Sequence, residues 1–291
     1  MPYSFNFDSN NNTEILDVSV IEPFVLINDL IKIKKIVFDS KFNQPIPKLP
    51  ICIKDVKFNC NFNQDISNIG DHIESIIFEV SDFNYNLATF PKGLKDLTII
   101  SNTISSRIEN INPGLKSLKI VSDTFNSSID NLPPGLELLK ITCAAFNQPI
   151  NNLPSGLKSL ILENIRLFQH PLNYLPHGLE YFVFSLKNYW NKPYSQTLEH
   201  LPNSIKKMVL SNFWGDLNTI GDGVVELDIW FPSNEIEEFL IYIQHWKKIP
   251  SSLKILNTRC GNTSLYNGHD VVDIIKTNIN CNGICINGID M

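Results

Sequence analysis

The chain has 291 residues, 43% of them hydrophobic, enough to bury a large core in one or two domains. Its 24 basic and 30 acidic residues give a formal charge of -6, which provides no general basic field for nucleic acid or anionic membrane. No run approaches the roughly 18 apolar residues that span a bilayer, and the polar stretch Met1 to Asn12 lacks the pattern of a secretory signal, so a cytoplasmic protein without membrane contact is expected.

In chain order, residues 1–30 read as an N-terminal cap, with Ile15, Val18 and Val20 as a possible terminal strand. Ile33, Ile36 and Phe38 mark the next strand, and from there a unit recurs. Its opening residues are Phe42, Phe62, Phe83, Ile104, Phe125, Phe146 and Phe168, spaced so evenly that no interval departs from the one before it by more than a single position. Four residues after each stands Ile46, Ile66, Leu87, Ile108, Ile129, Ile150 or Leu172. Seven after each stands Leu49, Ile69, Phe90, Ile111, Leu132, Leu153 or Leu175. Eleven after each begins an L-x-x-L-x-L run, such as Leu115, Leu118, Ile120 or Leu136, Leu139, Ile141. The run ends in period-two alternation, so each coil supplies one short strand with its last two anchors on one side.

Length varies only between that run and the next opening residue, which marks a loop tolerant of insertion. The returns hold prolines, among them Pro45, Pro47, Pro50, Pro133, Pro134, Pro149 and Pro154. A proline lacks the amide donor and fixes φ, so an extended or short 3₁₀ path is expected there rather than a helix. Gly93, Gly114, Gly135, Gly156 and Gly178 each precede the first Leu of a run, where a tight turn with positive φ is expected. Asn43, Asn63, Asn84, Asn126 and Asn147 follow the opening Phe, and stacked coils would set their amides in a ladder that satisfies backbone groups of the next turn.

Downstream, Ile205, Met208 and Leu210, then Val224, Leu227 and Ile229, then Leu253 and Leu256 keep the strand pattern at longer intervals. Residues 231–291 read as degenerate coils and a cap, with a helix near 233–248 whose Ile236, Phe239, Leu240, Ile243 and Trp246 share a face. The expected fold is therefore a β-rich solenoid of leucine-rich-repeat type, with residues 31–230 as its body. A parallel sheet of about ten to eleven short strands would form its concave face and irregular returns its convex side.

The string Phe146-Asn147-Gln148-Pro149-Ile150, followed by Leu153-Pro154-Ser155-Gly156-Leu157, closely resembles the FNIP repeat, as does Phe42 to Pro50. FNIP repeats are leucine-rich-repeat relatives of social amoebae and of giant DNA viruses of amoebae; a viral source would make the location the host cytoplasm. The resemblance covers roughly Ile33 to Leu210. It implies a parallel-sheet solenoid and, for many members, repeats joined to an N-terminal F-box that recruits a ubiquitin ligase. The stretch before the first clear coil at Ile33 is short for an F-box, and Thr13 to Lys35 lacks its leucine-proline opening.

No Ser/His/Asp group, nucleotide loop or metal constellation falls within one coil. The six histidines share no column, and the six cysteines read as free thiols, so neither cofactor nor metal is expected. Asp39, Glu79 and Glu163 share an outward column several coils apart, too far for a carboxylate pair. Function is then expected on the concave sheet. There the outward column reads Val37, Lys57, Ile77, Thr98, Lys119, Lys140, Ile161, Val183, Val209, Asp228, with Ile100 and Val121 in the next column. Thr98, Ile100, Lys119, Val121, Lys140, Ile161 and Val183 are the candidate protein-binding face. The leading reading is a monomeric, non-enzymatic module that binds a protein partner; the alternatives are a substrate receptor of a ubiquitin ligase and a structural or assembly protein.

Overall fold

The computed structural model describes residues 3–8, 13–18, 33–60, 62–186, 198, 200–231, 241–243, 245–260 and 285–290. The chain divides into two compact units, Met1–Cys143 and Ala144–Met291.

The first unit carries β1 (Tyr3–Asp8), β2 (Thr13–Val18), β3 (Ile33–Phe38), β4 (Asp55–Cys60), β5 (Ser75–Phe83), β6 (Asp96–Ile104), β7 (Ser117–Val121) and β8 (Leu138–Thr142). From β2 to β8 each strand pairs in parallel with the next, whereas β1 pairs antiparallel with β2. The second unit carries β9 (Ser159–Ile165), β10 (Tyr181–Leu186), β11 (Lys207–Ser211), β12 (Glu226–Phe231), β13 (Ile255–Cys260) and β14 (Cys285–Asp290). These are parallel throughout, each paired with its sequence neighbour. Both units are thus parallel β-solenoids of leucine-rich-repeat type, one short strand per coil, with almost no helix among the described residues.

The core columns explain the coil. In the coil that ends in β4, Phe42, Ile46, Leu49, Ile53, Val56 and Phe58 are all buried, and each such side chain contributes about 1.5 to 3 kcal/mol relative to exposure. Stacking coils puts like residues over one another. Phe38, Phe58 and Phe78 form a column of rings with centroids 5.3 and 5.0 Å apart, and Phe62 packs on Phe58 at 4.2 Å. In the second unit Phe146 stacks on Phe168 at 6.2 Å with the rings nearly parallel.

Each run opens on the same turn. The first anchor donates its N–H to the carbonyl three residues back, as in Ile53 to Pro50 at 3.0 Å, Leu136 to Pro133 at 3.0 Å and Leu179 to Pro176 at 3.0 Å. The expected positive φ at its glycines is not observed: the one glycine with positive φ among the described residues is Gly70, at 114°. A turn whose third residue keeps negative φ admits any residue, which is why Cys52 and Ser204 fill that place in other coils. Close approach explains Gly93 instead, since a Cβ there would lie 2.2 Å from the Asp71 carbonyl oxygen of the preceding coil.

The returns are irregular, with 3₁₀ turns at Leu87–Thr89 and Leu217–Thr219, each capped by a side chain that accepts an amide N–H, Asn86 and Asp216 respectively. The asparagine ladder is present where Asn43 Oδ1 accepts the Asn63 N–H at 3.1 Å and where Asn147 Oδ1 accepts the Gln169 N–H at 3.0 Å.

The chain ends differ in detail from expectation. Strand β2 contains Ile15 and Val18, but Leu16 rather than Ile15 stands in register with Ile36, because the ladder shifts between Glu14 and Ile15. Val20 lies outside the described residues. Strands β1 and β14 have no counterpart in the sequence reading. Of the expected helix near 233–248, residues 232–240 and 244 lie outside the described residues, including Ile236, Phe239 and Leu240; residues 241–243 are helical, and Ile243 and Trp246 are buried.

Candidate functional site

Because strand side chains alternate, the residues between the buried anchors form three outward columns on each sheet. In the first unit the middle column runs in register through Val37, Lys57, Ile77, Thr98, Lys119 and Lys140. Of the expected binding residues, Thr98 and Ile100 lie on β6, Lys119 and Val121 on β7, and Lys140 on β8. The register sets Thr98 beside Lys119, Lys119 beside Lys140, and Ile100 beside Val121, so these five form one patch. Ile161 and Val183 belong to the second unit, where β9 and β10 set them side by side.

Accessibility separates these residues. Lys119 is exposed and Ile100 is 37% exposed, while Thr98, Val121, Lys140 and Ile161 are half-buried. Val183 is only 5% exposed, so it offers little area to a partner.

Electrostatics separate the lysines as well. Lys57 pairs with Glu79 at 2.5 Å, one strand over and two residues on. Along the loop before the strands, Glu74 takes Lys54 at 3.4 Å and Lys95 at 2.6 Å, and Lys116 meets Glu137 at 3.1 Å. The Lys95 hydrogen bond and charge hold the Glu74 carboxyl below its ordinary range. Desolvation pushes Asp55 the other way, against the attraction of Lys35. Lys119 meets neither a carboxylate nor a hydrogen-bond acceptor among the described residues.

The sequence reading missed a polar cluster on the second unit. Lys207 Nζ donates to Glu226 Oε1 at 2.6 Å, and Asn257 Nδ2 donates to Asp228 Oδ1 at 2.5 Å, with Asp228 buried. The Glu226 hydrogen bond raises the Lys207 pKa. The signal was available, because the register sets Lys207 beside Glu226 and Asp228 beside Asn257.

Groups with chemical potential elsewhere are spent on local structure. Asp39 accepts the Lys41 and Phe42 amides at 2.8 and 3.0 Å, His72 Nε2 lies 2.9 Å from the Pro50 oxygen, and His170 Nε2 lies 3.1 Å from the Asn147 oxygen. Neither Cys52 nor Cys143 forms a disulfide, and the buried Cys143 donates its Sγ–H to the Phe125 carbonyl oxygen at 3.2 Å. Among the described residues no three of His, Cys, Asp and Glu gather as metal ligands, and no helix is long and apolar enough to cross a membrane.

No protein-family model matches the chain, and no curated protein does. Among solved structures it is similar to CroV588, described as a novel circular leucine-rich-repeat protein, at 19% identity and a TM-score of 0.47, over 88% of this chain and 46% of that one. The chain thus spans about half the length of CroV588. It also matches a leucine-rich-repeat protein from Bacteroides ovatus ATCC 8483 at 10% identity and a TM-score of 0.21, over 100% of this chain and 98% of that one.

Proposed function

We propose that this chain is a non-enzymatic module of FNIP-type coils that holds another protein on the outward face of its strands. The carrying observation is the patch on β6 to β8, where the exposed Ile100 adjoins Val121 and an unpaired Lys119 on strands fixed by a continuous ladder. Apolar area beside a free charge, on a backbone that loses little entropy when it binds, suits protein recognition. The FNIP assignment is supported by Phe-Asn-Gln-Pro-Ile, which begins at Phe42 and again at Phe146, and by Leu-Pro-x-Gly-Leu, which begins at Leu132, Leu153 and Leu175, in the register of stacked coils.

The test compares proteins captured from an amoebal lysate by the intact chain, by a Lys119→Glu, Lys140→Glu, Ile161→Asp variant, and by a Lys48→Glu variant altered in a return. All three must first be shown folded and monodisperse. The expected result is a partner retained by the intact chain and by Lys48→Glu and lost from the triple variant. A partner set that is unchanged in the triple variant sinks the assignment to this face.

A further inference from the structure

Where β11 ends beside β12, three buried polar atoms have no hydrogen-bond partner among the protein's own groups: Ser211 Oγ, Asn212 Oδ1 and Trp230 Nε1. Ser211 is 4% exposed and Asn212 is 3% exposed. Ser211 and Trp230 are register partners on neighbouring strands, about 4.8 Å apart. The Asn212 N–H donates to the Trp230 carbonyl at 2.9 Å, so the three residues are contiguous.

Burying a polar atom without a partner is costly. Ser101 and Ser122, which are as deeply buried, avoid it: Ser101 Oγ donates to the Thr103 carbonyl at 2.6 Å and Ser122 Oγ to the Asn102 carbonyl at 3.2 Å. The backbone does not force the arrangement at Asn212 either. Asn212 takes φ 55° two residues after the anchor Leu210; Asn164 takes φ 54° two residues after the anchor Leu162, and its side chain is exposed. The Asn212 amide is fixed in direction, because its Nδ2 donates to the Leu186 carbonyl at 3.2 Å and leaves Oδ1 as the acceptor.

One donor, one acceptor and one hydroxyl that serves as either define the group that would complete them. A metal cation accepts nothing from an indole N–H, and a fully ionised anion donates nothing to an amide oxygen. A neutral O–H group does both: it accepts from Trp230 Nε1–H, donates to Asn212 Oδ1 and forms its remaining bond with Ser211 Oγ. We infer that Ser211, Asn212 and Trp230 form a binding site for a hydroxyl group, supplied by an internal water or by a bound saccharide. The inference does not rest on the reading of the β6 to β8 patch. An internal water needs only the three atoms, whereas the half-buried Trp230 ring gives a saccharide a flat apolar surface to lie against.

The experiment uses the intact chain labelled with 15N, its Trp230 indole signal assigned by its loss in Trp230→Phe, and compares it with Ser211→Ala in urea unfolding. The expected result is that Ser211→Ala lowers the folding constant of the second unit about tenfold, because it removes a satisfied hydroxyl. An Oγ that is truly unpaired predicts the reverse, so a folding constant unchanged or raised by Ser211→Ala overturns the site. The indole proton of the intact chain is also expected either to show a cross peak to a long-lived water or to shift saturably with methyl α-glucoside, a shift that Ser211→Ala removes. The water cross peak, untouched by the glucoside, assigns the hydroxyl to water; the saturable shift assigns it to a saccharide. Neither signal overturns the site, and should Ser211→Ala fail to fold, this measurement on the intact chain decides alone.

Discussion

Two stretches of the chain solve the same stacking problem with different amounts of sequence. From Phe42 to Phe168 the coil recurs at a near-constant interval, whereas from Val183 the outward column takes a long step to Val209, a short one to Asp228 and the longest to Asn257. The bond that ties one coil to the next at the start of each strand does not change. Lys54 donates its N–H to the Lys34 carbonyl at 2.7 Å and Lys95 to Glu74 at 2.8 Å; in the lengthened stretch Lys206 reaches Glu180 at 2.8 Å and Lys254 reaches Val225 at 2.9 Å. The strand and its opening turn are therefore the constrained parts of the coil. Extra residues are absorbed in the return, where one of them can become a fastener: Asn218 Oδ1 accepts the Lys247 and Lys248 amides at 2.7 and 2.8 Å, and its Nδ2 donates to the His245 carbonyl at 3.0 Å.

The comparison breaks most sharply at the aromatic column. Phe58→Ala removes a fully buried ring packed on Phe38, Phe62 and Phe78 and is expected to cost about 3 to 5 kcal/mol in urea unfolding of the first unit. A loss under about 1 kcal/mol would mean the coils are not held by that column. Asn218→Ala should cost about 1 kcal/mol, since water can reach the freed amides, and should speed hydrogen exchange at Lys247 and Lys248 while leaving Lys206 and Lys254 protected.

A short Gly-Ser-Gly-Ser insertion between Ser127 and Ser128, in the return after Phe125, converts a regular coil into a long one. It is expected to cost less than about 1 kcal/mol, because loop closure grows only slowly with length. Unfolding of the first unit by that insertion would show that the regular coils differ in kind from the long ones. The smallest effect belongs to Lys207. Its pKa is raised in the folded state by Glu226, so its contribution is complete below the ordinary value of 10.5 and fades as pH climbs through the higher folded value. Its side chain is 39% exposed, so solvent limits the gain to a few tenths of a kcal/mol, and Lys207→Gln should flatten the alkaline limb of a stability–pH curve by that amount.

The core columns were legible because seven copies of one register leave little freedom for the apolar positions, and all seven opening residues but the half-buried Ile104 are buried. The glycine turn was misread because Pro-x-Gly suggests a turn with positive φ, whereas the structure keeps negative φ there and makes its steric demand at Gly93 and Gly223, where a Cβ would run into the Asp71 and Asn203 carbonyl oxygens of the preceding coil. Strand β1 was not seen because an antiparallel strand preceding the first coil has no repeat to announce it. Strand β14 was not seen because Cys285, Ile286, Asn287 and Gly288 do not reproduce the leucine spacing. At the candidate site the columns could be read but not their accessibility. Lys119 and Val183 occupy the same column position, yet Lys119 is exposed and Val183 is buried, a difference that the column pattern does not carry.

Strand β1 has a consequence for growth of such a stack. A parallel edge repeats its hydrogen-bonding pattern at every layer and could template a further layer from another molecule without limit. The reversal at β1 replaces the evenly spaced, slanted pattern of a parallel pair by the alternating close and wide pairs of an antiparallel one. Tyr3–Asp8 is thus the one described strand that interrupts the uniform pattern on which such templating depends.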